Sequence, residues 1–371
     1  MESVPAFLDA LARRLVPACD PAVVQAVFAR ASAGYAGPRG RDGHRVTAIT
    51  PSGVPFEASV TGGAGRSSAV LRYVTEAATA LPFFRPRLAA QRAAVDDLAA
   101  WLPGQARSAA PGLRAFVDAL FPDPALVPAR TRFATAFGIV HRPEVPDAVA
   151  GLKVYGNLAV DRAALARLAA RWPPFAALAD PVDGLTFVVP HFATVEVDVS
   201  GRLAHKVYFR TRRANGAAIA LLARRVGADV GELAGELDRA GVGSTVWRGR
   251  IYVCCGAAPS AEPEISVHLP ARALGLPADG MASLARRLAT AHGGRGAPAA
   301  LAALEAAAER SGGATAWATT VVGVGLLAGG GIGKVNVYVA PVALASPAAD
   351  SGGEQSQAFS NSAWTGSRVT A

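Results

Sequence analysis

The chain has 371 residues, 51% of them hydrophobic, and a formal net charge of +9, enough apolar material for a folded globular core. The basic excess implies an anionic partner. Its arginines are scattered singly and in pairs such as Arg13-Arg14 and Arg212-Arg213, without the dense runs and interleaved aromatic residues of a nucleic-acid platform. No apolar run reaches the roughly 18 residues of a membrane span, and MESVPAFLDALARRLVPACD lacks the order of a signal peptide, so a cytoplasmic protein is expected. Cys19 and the pair Cys254-Cys255 have neither metal-ligand nor disulfide spacing and are expected to be buried, inert thiols.

In chain order, Ala, Leu and Arg at helical spacing predict helices over 3–17, 21–33, 88–101, 110–120, 161–170, 214–224, 228–240, 281–292 and 297–310. Between them lie strand-like pairs, 54–60 with 69–76, 131–140 with 150–158, 185–198 with 203–210, 245–255 with 263–270, and 316–327 with 333–340. Gly- or Pro-bearing connections such as TGGAG, SGR, GAAPSAEP and AGGGIG make each pair an antiparallel hairpin. Five hairpins alternating with helices form a loose repeat. Ten antiparallel strands can close into a β-barrel that leaves no exposed edge, with the helices around it. The predicted fold is therefore an α+β protein, a ten-stranded antiparallel barrel with a solvent-filled core, forming a single domain over 1–345. The Ser-, Gly- and Gln-rich segment 346–371 reads as a disordered tail.

Only three of the 37 basic residues are lysines, in LKVYGN (152–157), HKVYFR (205–210) and GKVNVYVAP (333–341), and each is followed by a tyrosine two or four residues later. The strand period of two places Lys153, Tyr155 and Asn157 on one face, and likewise Lys206, Tyr208 and Arg210, and Lys334, Asn336 and Tyr338. Val154, Val207, Phe209, Val335, Val337 and Val339 occupy the opposite faces. Helices can cover only the apolar face, so the Lys and Tyr face must line the lumen. Ammonium and guanidinium groups suit a diphosphate, and aromatic faces suit a cation. Ionisation of an allylic diphosphate needs both at once.

On a further hairpin, Glu57 of PFEASV faces a partner strand carrying Arg72 and Glu76. A cross-strand Glu–Arg ion pair accounts for these residues. So does a pair of roles in which Glu57 accepts an aromatic N–H and Arg72 binds diphosphate.

PFEASV, VLRYVTE, KVYGN, KVYFR and VNVYVAP, in this order over about residues 50–341, resemble the motif series of aromatic prenyltransferases of the dimethylallyltryptophan synthase type. That resemblance implies a barrel of five αββα repeats. It implies Glu57 as the carboxylate that holds the indole N–H. Arg72, Lys153 and Lys206 would bind diphosphate, and Tyr155, Tyr208 and Tyr338 would shield the dimethylallyl cation. Where the family often carries an arginine two residues before the later lysine, this chain has Ala204, and Arg210 or Arg202 is expected to substitute. A shield tyrosine expected in EISVHLP is His268. Tyr252 is a further lumen candidate, and Lys334 is expected at the barrel mouth as a steering charge.

Members that alkylate C4 of tryptophan use a lysine base on the strand before KVY. This chain has Val140 and His141 there, so another ring carbon or N1 is expected, as in bacterial members of similar length. VDDLAA (95–100) has no second Asp cluster of the kind that holds Mg²⁺, so neither metal nor cofactor is expected. His44, His141, His191, His205 and His292 read as structural or surface residues. The expected reaction is transfer of a dimethylallyl group from its diphosphate to the indole of tryptophan. The alternatives are a phenol or an indole-bearing peptide as acceptor, or a barrel that binds an anionic aromatic ligand without turnover.

Overall fold

In the computed structural model, the described residues are 3–342 except 41–44, 51, 64–69, 162, 212–215, 244–248, 258–263, 312–315 and 328–329. The segment 346–371, His44, and the parts of the hairpin connections and of strand 245–255 that fall on excepted positions lie outside them.

Ten strands run in chain order: β1 (Phe56–Gly63), β2 (Leu71–Thr75), β3 (Thr135–His141), β4 (Gly151–Asn157), β5 (Val188–Asp198), β6 (Leu203–Thr211), β7 (Tyr252–Ala257), β8 (Glu264–Pro270), β9 (Ala316–Leu326) and β10 (Ile332–Val342). Each pairs antiparallel with its neighbour in sequence, and β1 closes on β10 from Ala58↔Val339 to Gly63↔Lys334. The result is a closed barrel. The five expected hairpins are all present, joined to one another through β2–β3, β4–β5, β6–β7 and β8–β9.

Among the described residues the helices are α1 (Ser3–Leu15), α2 (Pro21–Ala31), α3 (Phe84–Ala99), α4 (Gly104–Ala109), α5 (Pro111–Leu120), α6 (Ala164–Arg171), α7 (Pro173–Ala179), α8 (Gly216–Arg225), α9 (Gly231–Arg239), α10 (Ala271–Leu274), α11 (Ala278–His292) and α12 (Ala297–Arg310). The sequence reading lacks α4, α7 and α10, which are too short to develop a full apolar period. It also starts the seventh strand at 245, whereas β7 begins at Tyr252. Among the described residues no helix is long and apolar enough to cross a membrane.

The core lies between the outer face of the barrel and the helices. Val154, Val207, Phe209, Val335, Val337 and Val339 are all buried there, as strand alternation requires. At the closing seam, Phe7 of α1 stacks on Trp317 at 4.0 Å. Phe56 meets Phe7, Phe28 and Trp317 edge-on, and Tyr73 continues the cluster to His141. His141 thus points away from the lumen, and its ring packs against Tyr73. The three cysteines are buried.

Helix α12 packs closely on the seam at Gly62. A Cβ there would stand 2.4 Å from the carbonyl oxygen of Gly293 and 2.2 Å from Cβ of Ala297. Backbone cannot yield as a side-chain tip can, so Gly62→Ala should cost about 1–3 kcal/mol. Urea denaturation should show a lower midpoint with an unchanged slope.

Candidate active site

Three layers of side chains fill the lumen, each set by strand register. At one pole stand Arg72, Lys153, Lys206 and Lys334. Lys153 Nζ lies 3.3 Å from Glu196 Oε2, and Lys334 Nζ lies 3.3 Å from Glu264 Oε1. Arg72 Nη1 donates to Thr61 Oγ1 at 2.7 Å, and that hydroxyl donates to Asn336 Oδ1 at 2.7 Å.

Four cations here face two carboxylates, an excess of positive charge that the titration behaviour reflects. Lys206 is pushed down first by the charge of Lys153 and then by burial. Burial would raise Glu196, but the charges of Lys153, Lys206 and Arg72 hold it at about 2. The Lys334 side chain is only 12% exposed and shares this pole, opposite Gly63 at the end of β1.

The middle layer is a band of rings. Centroid distances are 6.1 Å from Tyr155 to Tyr208, 5.6 Å from Tyr208 to His268 and 5.8 Å from His268 to Tyr338. His268 therefore completes the tyrosine series. Burial, reinforced by Lys334, Lys206 and Lys153, pushes it down to about 3, so its imidazole is neutral at physiological pH. Its Nε2 is 3.1 Å from the Ser266 hydroxyl. Lys153 Nζ stands 5.3 Å from the Tyr155 ring centroid, which links the cationic pole to the ring band.

Glycines on neighbouring strands make room for these side chains. A Cβ on Gly323 would stand 3.1 Å from the His268 ring, one on Gly138 3.2 Å from Tyr155, and one on Gly256 3.3 Å from Lys206. The small residues in the strand interiors are thus places where the neighbouring side chain needs the space.

Beyond the rings lies a cavity of about 360 Å³, lined by Glu57, Phe133, Tyr155, Phe192, Tyr252, Arg272 and Thr320 among others. That volume suits a small aromatic molecule. Two β-bulges shape it. In β9, Thr319 pairs with Val339 and Val321 with Tyr338, leaving Thr320 as the extra residue. Its Oγ1 donates to Glu57 Oε2 at 3.1 Å. In β5, His191 is the extra residue between Pro190 and Phe192, and its ring stacks on Tyr252 at 5.4 Å. Each bulge re-aims a side chain that regular alternation would have turned elsewhere.

Glu57 lies on the cavity wall, where burial raises its carboxyl to about 7 and the Thr320 hydrogen bond draws it partly back. The hairpin register sets Glu57 opposite Val74 and Arg72 opposite Ser59, so the two are not a directly opposed cross-strand pair. Glu76, the other acidic residue of this hairpin, lies outside the lumen.

Arg210 stands apart from the lysine pole. It is four residues further along β6 than Lys206, about 13 Å at strand rise, and pairs with Tyr252 at the cavity end. Asn157 closes a turn, with Nδ2 donating to Phe133 O at 2.9 Å and Oδ1 accepting from Ala159 N–H at 2.9 Å. Thr320, Arg272 and Phe192 were not singled out from sequence, and neither was Glu196, although ATVEVDV places Thr194, Glu196 and Asp198 on one face by the same period of two.

A closed ten-stranded antiparallel barrel surrounded by helices is also the fold of solved dimethylallyltryptophan synthases. A 6-dimethylallyltryptophan synthase from Micromonospora olivasterospora, in complex with DMASPP and Trp, matches with a TM-score of 0.69 and 19% identity over 91% of this chain and 96% of that one. The 5-dimethylallyltryptophan synthase of Streptomyces coelicolor matches with a TM-score of 0.65 and 19% identity, covering 91% and 96%. AnaPT from Neosartorya fischeri gives 0.63 and 17%, covering 91% and 92%. This chain shares their fold. No family model matches the sequence, and no curated protein matches it.

Proposed function

We propose that the protein is an aromatic prenyltransferase that moves a dimethylallyl group from dimethylallyl diphosphate to the indole of tryptophan. The observation that carries this reading is the order of the three layers. A charge-excess pole, a ring band and an apolar cavity walled in part by the Glu57 carboxylate stand in the sequence that leaving group, carbocation and aromatic nucleophile require. The neighbours named above, two of them dimethylallyltryptophan synthases, support it.

Arg72, Lys153, Lys206 and Lys334 hold the diphosphate as the C–O bond of the donor breaks, stabilising the negative charge that develops there. Tyr155, Tyr208, Tyr338 and neutral His268 face the allylic cation and exclude water. Glu57 accepts the indole N–H and orients the ring. A ring carbon other than C4, or N1, then bonds to the allylic carbon and loses its proton, restoring the aromatic system. Val140 and His141 offer no lysine base, and His141 faces the outer core. Arg272 and Arg210 at the cavity end are suited to the carboxylate of an amino-acid acceptor. The lysines and arginines take the place of Mg²⁺, so the reaction proceeds without metal.

Incubation with dimethylallyl diphosphate, tryptophan and EDTA should give a product heavier by one C₅H₈ unit. Failure with tryptophan, other indoles and phenols alike would refute the proposal. Within this reading, Gly323→Ala should press His268 out of the ring band and lower turnover by about ten-fold or more, because misplacement on the ångström scale is expensive in a preorganised site. Single-turnover kinetics should locate that loss in the chemical step, with diphosphate affinity intact.

A further inference from the structure

The outer wall of the cavity is not barrel. Ala48 and Ile49 line it from the connection between α2 and β1. Behind this strap lies a buried polar network that the reaction described above does not use. Glu76 and Gln91 are fully buried, and Thr47 and Arg87 are only 3% exposed.

Thr47 Oγ1 donates to Glu76 Oε2 at 2.7 Å and accepts the backbone N–H of Ile49 at 3.1 Å. Gln91 Nε2 donates to Glu76 Oε1 at 3.2 Å, and Gln91 Oε1 accepts both the N–H and the hydroxyl of Thr135, at 3.0 and 2.9 Å. Arg87 lies 3.5 Å from Glu76 Oε1 and donates to the carbonyl of Val46 at 3.2 Å, with further bonds to the carbonyls of Thr79, Leu81 and Arg132. Thr135 adjoins Ala136, and Ala136 and Phe133 form another part of the cavity wall. A single buried carboxylate thus ties the strap on one side and the entry of β3 on the other. A fully connected buried network of this kind rigidifies what it joins.

We infer that Thr47 and Glu76 are positioning residues that hold Ile49 and Ala48 against the bound aromatic acceptor, and so set acceptor affinity and the ring position that reacts. The inference rests on the prenyltransferase reading. Thr47 is the most direct lever, because its one hydroxyl links the carboxylate to the Ile49 amide.

The test compares Thr47→Val with Thr47→Ser by calorimetric titration of indole and of inorganic diphosphate, and by the isomer ratio of the prenylated products. Thr47→Val should weaken indole binding by about ten-fold or more and broaden the isomer ratio. Diphosphate binding should stay at the wild-type level, and Thr47→Ser should restore both properties. Unchanged indole affinity and isomer ratio in Thr47→Val would overturn the inference, as would a valine and a serine variant that behave alike. An equal loss of both ligands would also overturn it, since that outcome marks support of the fold only. Ile49→Ala leaves the network intact and should weaken indole binding selectively, so it decides the matter if Thr47→Val does not fold; wild-type affinity in that variant refutes the inference. A wild-type protein that binds both ligands without turnover refutes the prenyltransferase reading alone, with the strap still tested by indole affinity. One that binds neither overturns both.

Discussion

Glu57→Gln is expected to lower turnover by about 10²-fold or more while leaving diphosphate binding intact. The side chain lies on the cavity wall, held by Thr320, so the substitution removes a charge from the acceptor's site and none from the donor's. Glutamine can still accept an N–H, but a neutral carbonyl offers less to the positive charge that develops on the indole as its ring attacks. The pH profile is a second reading of the same group. Burial raises this carboxyl to about 7, and the working form is the carboxylate, so kcat/KM for the acceptor should climb through neutral pH and level off above it. Glu57→Gln should flatten that climb.

Stability should move the opposite way. A folded-state value above the ordinary 4.5 means that the contribution of Glu57 to stability is present below that ordinary value and lost as pH rises through about 7. The glutamine variant escapes this loss and should be more stable than wild type at alkaline pH, by on the order of 3 kcal/mol. Thermal unfolding of the two proteins at acid and alkaline pH would measure the difference. Unchanged turnover would reduce Glu57 to a structural partner of Thr320.

The barrel was legible because a period of two is hard to disguise. LKVYGN and HKVYFR each put valine or phenylalanine on one face and a cation with tyrosine on the other, and a sheet wrapped by helices can bury only the first. Closure of the ring followed from the count of hairpins, and the lumen residues Lys153, Tyr155, Lys206, Tyr208 and Tyr338 followed from the faces. What the sequence concealed is where the period breaks. Thr320 and His191 are bulge residues, and strict alternation gives no warning that one extra residue turns a hydroxyl onto Glu57 or an imidazole onto Tyr252. Arg210 was placed with Lys206 because both share a face; a shared face does not fix depth, and four residues of strand carry Arg210 to the far end of the lumen. The strap over 46–50 has no periodicity, so its place in the cavity wall comes only from tertiary contacts.

Lys153→Met should weaken donor binding by about 10²-fold, and the reason lies as much in what it leaves behind as in what it removes. Lys153 lies 3.3 Å from Glu196, and methionine in its place leaves that carboxylate facing the incoming diphosphate with one fewer cation between them. Glu196 should then rise from its depressed value of about 2, because the largest favourable charge acting on it is gone. Glu196→Gln acts in the opposite direction. With that competing carboxylate neutralised, more of the charge of Lys153, Lys206 and Arg72 is left for the ligand, and inorganic diphosphate should bind several-fold more tightly.

The ligand-free protein should be less stable in that variant, because mutual repulsion already pushes Lys206 down and the loss of Glu196 strengthens it. The sign with pH agrees. A carboxylate held below its ordinary value adds stability above that value and loses it as pH falls through about 2, so the destabilisation by Glu196→Gln should be full at neutral pH and fade in acid. Added diphosphate should reverse it, since a ligand bound by the folded form alone raises stability by mass action. Calorimetric titration of diphosphate into wild type, Lys153→Met and Glu196→Gln, with thermal unfolding in its presence and absence, separates these effects. Equal affinity in all three proteins would remove the cationic pole from donor binding.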